Sequence, residues 1–222
     1  MLQELELHFG NECMHPAFCE ELHILPSLTH LSISLSNWIL HHEELASGLA
    51  RCPRLSSVAF NLVFEDRLEM PKYDLIVGTV LNSLPKLPML TQLALSSPCQ
   101  PRTLAAALQQ LTNLQSLNLR GKNGVRLWRD DPSHSDSEYT AGHDVLLETI
   151  RSMPGLQDFT AWAASSSLYR GNWQPSSVAH TLSLLAALPV TLTRLELSGN
   201  ALDGEVVAQL CCLTSLQVRS AS

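Results

Sequence analysis

No run or stripe of basic residues occurs anywhere in this chain. Fourteen lysines and arginines face 21 aspartates and glutamates, a net charge of −7, so nothing presents the electrostatic footprint that a phosphate backbone needs. Nucleic acid is thereby excluded as the main partner. The longest apolar stretch, SLLAALPV, falls far short of the roughly 20 residues a helix needs to span a bilayer, so no membrane partner is expected. The opening MLQELELHFG is acidic and carries no apolar signal core. Six cysteines, at 13, 19, 52, 99, 211 and 212, follow no framework spacing. Reduced thiols without a signal point to an intracellular, cytoplasmic site, compatible with cytoskeletal or ciliary association. Cys52 and Cys211 fall where core side chains are expected. The adjacent Cys211–Cys212 pair is redox-sensitive if exposed and inert if buried.

Catalytic signatures are missing too. GKNG lacks the length and the closing Lys-Ser/Thr of a phosphate-binding loop. His41 and His42 are adjacent at a helix start, so their side chains diverge. His134 and His143, near Asp130, Asp131 and Asp136, match no metal-ligand spacing. The Glu43–Glu44 pair belongs on a solvated helical face, and no cysteine stands in an electropositive setting. The expectation is a protein that is not an enzyme and holds no cofactor and no metal.

What the chain does have is one phrase, leucine-x-x-aliphatic-x-aliphatic, in eight copies. They begin at Leu2, Leu28, Leu55, Leu90, Leu114, Leu156, Leu192 and Leu213, spaced by 26, 27, 35, 24, 42, 36 and 21 residues. Leucine fills 43 of the 222 positions, so the phrase alone is weak and its context decides. Six of the seven internal copies carry an apolar residue three places earlier: Leu25, Cys52, Leu87, Leu111, Met153 and Leu210. Four place a proline two places earlier, at Pro26, Pro53, Pro88 and Pro154. Proline lacks an amide donor and disfavours helix for its predecessor, so it separates a helix from the strand that follows. Helix-like stretches fill the gaps, over 17–25, 42–50, 73–84, 102–110, 143–152, 177–187 and 204–211. Strand then helix, repeated, predicts an α/β protein with a parallel sheet backed by helices.

With these features the chain resembles the leucine-rich repeat superfamily over essentially its whole length. The copy LTRLELSGNAL carries the family's asparagine and final leucine at Asn200 and Leu202. SGNALDGEVVAQL is similar in part to the ribonuclease-inhibitor-like subtype, and RCPRLSSVAF to the cysteine-containing repeats of F-box proteins. The resemblance implies a single solenoid domain over residues 1–222, a curved right-handed horseshoe of about eight repeats. Its parallel sheet lines the concave face and its helices the convex one. It also implies a protein–protein interaction module. Alternatives are the substrate-recognition part of an F-box-type ubiquitin-ligase adaptor, a sensor region, or a structural cytoskeletal protein. Neither end shows a polar capping unit, so the chain is expected to be a fragment of a longer solenoid, or to self-associate through its ends.

Alternation along a strand turns the x positions of each phrase outward. One outward row runs from Glu6 through Glu196 to Gln217, and the next includes Arg120 and Trp162. An exposed tryptophan beside Arg120, Asp158, Arg194 and Glu196 has the composition of an interface hot spot. The other reading is that the sixth repeat is distorted and Trp162 packs inward. Extra residues form insertions at 61–73, 121–143 and 165–177. The last two are expected on one rim and mix arginine with aromatics: Arg126, Trp128 and Arg129 in one, Tyr169, Arg170 and Trp173 in the other. They are read as binding loops, with a disordered excursion as the alternative for DDPSHSDSEYT.

Overall fold

A computed structural model of the chain describes residues 2–9, 15–36, 41–63, 70–96, 99–119, 137–162, 165–166, 173–174, 178–198, 204–213 and 215–216. At 36, 62–63, 70–73, 137–140, 162, 165–166, 173–174, 178–180 and 198 it describes the backbone alone. The fold is α/β, with strands and helices alternating along the chain. The strands are β1 (Glu4–Phe9), β2 (His30–Ser36), β3 (Ser57–Val63), β4 (Gln92–Ser96), β5 (Ser116–Leu119), β6 (Asp158–Trp162), β7 (Ser165–Ser166), β8 (Trp173–Gln174) and β9 (Arg194–Ser198). The helices are α1 (Pro16–Glu21), α2 (His42–Leu49), α3 (Met70–Leu81), α4 (Pro101–Leu108), α5 (Ser137–Arg151), α6 (Val178–Ala187) and α7 (Gly204–Cys211).

Seven strands form one parallel sheet in the order β1-β2-β3-β4-β5-β6-β9. The third position of each phrase pairs with the third of the next: Glu4, His30, Ser57, Gln92, Ser116, Asp158 and Arg194 in turn. The fourth positions form an apolar row from Leu5 through Leu31, Val58, Leu93, Leu117 and Phe159 to Leu195. The sixth positions form a second, from Leu7 through Ile33, Phe60, Leu95, Leu119 and Ala161 to Leu197. These rows share one continuous core with Leu45, Leu49, Val77, Leu81, Leu104, Leu108, Leu146 and Ile150 of the helices. Each helix packs on its neighbour in sequence, from α1 through α7.

The turn into each strand repeats one hydrogen-bond pattern. The amides of Thr29 and His30 both reach the Gln3 carbonyl, and those of Ser56 and Ser57 reach Thr29. Thr91 with Gln92, Gln115 with Ser116, Gln157 with Asp158, and Thr193 with Arg194 continue the series. Where the phrase's second residue carries a hydroxyl, that hydroxyl donates to the same carbonyl: Thr29 to Gln3, Ser56 to Thr29, Thr91 to Ser56 and Thr193 to Gln157, at 3.1–3.2 Å. The apolar residue three places before the phrase plugs the turn, as Cys52, Leu87, Leu111 and Met153 do from buried positions.

The expected elements recur with shifted bounds. The stretch expected as helix over 17–25 splits into α1 and a 3-10 turn, Leu22–Ile24. Residues 137–143, assigned above to an insertion, belong to α5. Gly142 is buried, packs against the Arg102 side chain and extends the buried stripe of Leu146 and Ile150. Likewise α3 starts at Met70, and β3 runs to Val63, so the 61–73 insertion is shorter than expected. Cys211 corrects a second expectation: it is exposed, as is Cys212. It sits in the last turn of α7, whose buried residue is Val206, on a side that no described element covers.

Candidate functional site

One face of the sheet is covered by helices. On the other, the outward side chains remain partly or fully exposed. Its middle row passes from Glu6 through Ser32, Ala59, Ala94, Asn118 and Thr160 to Glu196. A parallel sheet is normally covered on both faces, so seven strands with one open face are notable in themselves. The strands hold this surface in fixed register, because the alternate residues are apolar anchors packed in or against the core.

The character of the face changes along it. At β2, β3 and β4 the middle row is Ser32, Ala59 and Ala94, flanked by Ser34, Asn61 and Ser96, so the backbone is accessible to close approach. At β1 it carries Glu4, Glu6 and His8, with the His8 Nε2 atom 3.2 Å from the Glu6 carboxylate. At β6 and β9 it carries Asp158, Arg194 and Glu196. The Arg194 guanidinium donates to the Asp158 carboxylate at 3.0 Å across adjacent strands. That bond is possible because both occupy the third phrase position, directly opposite each other in the ladder.

Of the residues singled out in the sequence, Asp158, Arg194 and Glu196 therefore do come together on the open face. Trp162 lies in β6 with its backbone opposite Ser198; where its side chain points lies outside the described residues. Trp173 pairs with Ser166 in a short antiparallel ribbon, β7 with β8, inside the third insertion. Arg120, Arg126, Trp128, Arg129, Tyr169 and Arg170 lie outside the described residues. The eighth phrase, from Leu213, is described only at Leu213, Ser215 and Leu216.

The hydroxyls of Thr29, Ser56, Thr91 and Thr193 went unassigned in the sequence reading, although the Thr or Ser at the second phrase position was visible there. Among the buried thiols, desolvation pushes Cys19 up to about 11, with nearby Glu44 adding to the rise. Burial raises Cys52 and Cys99 as well. Such thiols are poor nucleophiles. Among the described residues no three His, Cys, Asp or Glu side chains converge closely enough to hold a metal ion. No described helix is long and apolar enough to cross a membrane. No protein-family model matches the chain, and no curated protein matches it at a significant level.

Proposed function

We propose that the chain is a leucine-rich repeat solenoid, a curved right-handed horseshoe whose sheet lines the concave side. In this reading it binds another protein through that face and the rim loops, and it catalyses no reaction. The observation that carries the reading is the unshifted register of seven parallel strands. It sets equivalent phrase positions side by side and leaves one face open. A rigid, polar surface with a charged end of Asp158, Arg194 and Glu196 suits recognition of a folded partner more than enclosure of a small substrate. Arg120 and Trp162 in the outward row of the sheet face, with Trp128, Arg129, Tyr169, Arg170 and Trp173 of the rim loops, would supply the anchors. The partner is a protein, with no nucleic acid and no membrane involved, and the setting is the cytoplasm.

Affinity capture from native lysate with quantitative mass spectrometry tests this when three baits are compared. These are the wild type, a triple alanine variant at Asp158, Arg194 and Glu196, and the Trp128→Ala/Trp173→Ala double variant. A protein retained by the wild type and lost by one variant places the surface. Equal retention by all three overturns the assignment of the open face and its rim.

A further inference from the structure

The turn that follows α7 repeats a turn found in the middle of the sheet. The Leu213 amide donates to the Leu210 carbonyl at 3.1 Å, as Leu55 does to Cys52, Leu90 to Leu87 and Leu114 to Leu111. In those interior turns the two residues between donor and acceptor are exposed: Pro53 and Arg54, Pro88 and Met89, Thr112 and Asn113. The strands they enter, β3, β4 and β5, each have a strand on either side. Exposure therefore belongs to the two turn positions themselves. In the turn before Leu213 those positions hold Cys211 and Cys212, and both thiols are exposed. The other described thiols are sealed in the core, with Cys19, Cys52 and Cys99 at 0%, 4% and 1% exposure.

We propose that Cys211 and Cys212 form a dithiol site for a thiophile satisfied by two sulfurs, of the class of monosubstituted trivalent arsenicals. Neighbouring Cα atoms lie about 3.8 Å apart across a trans peptide, short of the roughly 4.4 Å at which ordinary disulfide geometry begins. The pair therefore resists closing on itself, and a bridging atom relieves the strain by enlarging the ring. Because both side chains are exposed, rotation about their χ1 bonds brings the sulfurs together without disturbing the core. The Cys212 thiol donates to the Ala208 carbonyl at 3.7 Å, and a thiol is a weak donor, so little holds it back. The donor set selects the ligand. A structural zinc ion takes four ligands, and among the described residues no three His, Cys, Asp or Glu side chains converge on a metal position. Trivalent arsenic with one carbon substituent needs only two further bonds, and soft sulfur suits it. With an arsine oxide, each thiol gives up its proton and two arsenic–sulfur bonds form. The arsenic–oxygen bond is lost and one water leaves. Arsenic stays trivalent, so the step needs neither oxidant nor reductant.

The site lies on a turn, off the open face of the sheet, and is independent of the protein-binding reading. Phenylarsine oxide added to the reduced, native full chain tests it by intact mass and peptide mapping. One phenylarsenic group per chain is expected, on the peptide that carries Cys211 and Cys212. Cys211→Ser and Cys212→Ser should each weaken capture by about a hundredfold or more, because two linked thiols act at high effective concentration and one does not. Both positions are exposed, and a thermal melt of each variant checks that the fold is kept. Cys13 lies outside the described residues, and Cys13→Ser should leave capture unchanged. A small dithiol should strip the arsenic, whereas a monothiol at the same concentration should not. Zinc(II) should bind far more weakly than the arsenical. The proposal is overturned if the reduced wild type captures no arsenical or if the arsenic maps to other cysteines. It is overturned equally if either single serine variant keeps the full affinity, or if zinc binds the pair more tightly.

Discussion

The carbonyl of Cys19 occupies the space in which a β-carbon on Gly48 would stand. Gly48 lies within α2, where glycine ordinarily costs about 1 kcal/mol relative to alanine. It is tolerated here because it lets α2 close onto the backbone of α1, beneath which Cys19 is fully buried. Gly48→Ala should therefore run against propensity and destabilise the protein by about 1–3 kcal/mol, as overpacking does. Gly204→Ala, at the start of α7 with nothing near its β-position, should be neutral or slightly stabilising. Urea denaturation of the two variants checks the contrast; a stabilised Gly48→Ala would refute the close approach.

Asp74 in α3 performs a similar joining role with polar groups. One carboxylate oxygen accepts from the Gln100 amide at 2.9 Å and the other from the Thr103 hydroxyl at 2.7 Å. Gln100 precedes α4 and offers no side-chain cap of its own, so Asp74 serves as a cap reaching from the preceding helix. Asp74→Ala should cost about 1–3 kcal/mol, and Asp74→Asn less, because the amide oxygen can keep one of the two bonds. Equal melting temperatures for wild type and Asp74→Ala would rule the cap out.

The strands were legible because the phrase places its anchors at the alternating positions that a sheet requires. Leu31, Ile33, Leu93 and Leu95 are all buried as that alternation demands. Element bounds were less legible. The serines and acids ahead of Tyr139 read as loop, but helix α5 starts at Ser137. Cys211 illustrates the other limit: its spacing matched a core position, yet burial depends on which element packs against the helix, and spacing does not encode that. The Asp158–Arg194 pair could be read as neighbours from the phrase alone. The tether from Asp74 to Gln100 and Thr103 could not, since it joins residues 26 and 29 apart across an irregular gap.

The Arg194–Asp158 bond is a surface feature, with side chains 64% and 32% exposed. Exposed pairs contribute at most about 1 kcal/mol, so Arg194→Ala should leave the melting temperature nearly unchanged. If the open face binds a protein, the same substitution should weaken that complex measurably. A large drop in stability would instead make the pair part of the framework.

The thiols divide by burial. Among the described residues Cys19, Cys52 and Cys99 are buried and Cys211 and Cys212 exposed, so alkylation of the native protein followed by peptide mapping should label Cys211 and Cys212 and spare Cys19, Cys52 and Cys99 until denaturant is added. The same burial makes stability depend on alkaline pH. The Cys19 thiol ionises near 9.0 when unfolded and only near 11 when folded. The neutral form is thus favoured by folding, and that contribution is complete below pH 9. Above pH 9 the unfolded chain releases the proton while the native one holds it, so stability falls as pH rises toward 11, by on the order of 2 kcal/mol for Cys19. Burial of Cys99 and Cys52 shifts their thiols in the same direction and adds to the loss. Urea midpoints measured from pH 7 to pH 11 should be flat at first and then decline. A Cys19→Ala variant, though less stable at neutral pH, should decline less steeply. A wild type and a Cys19→Ala variant that fall in parallel would assign the alkaline loss to other groups.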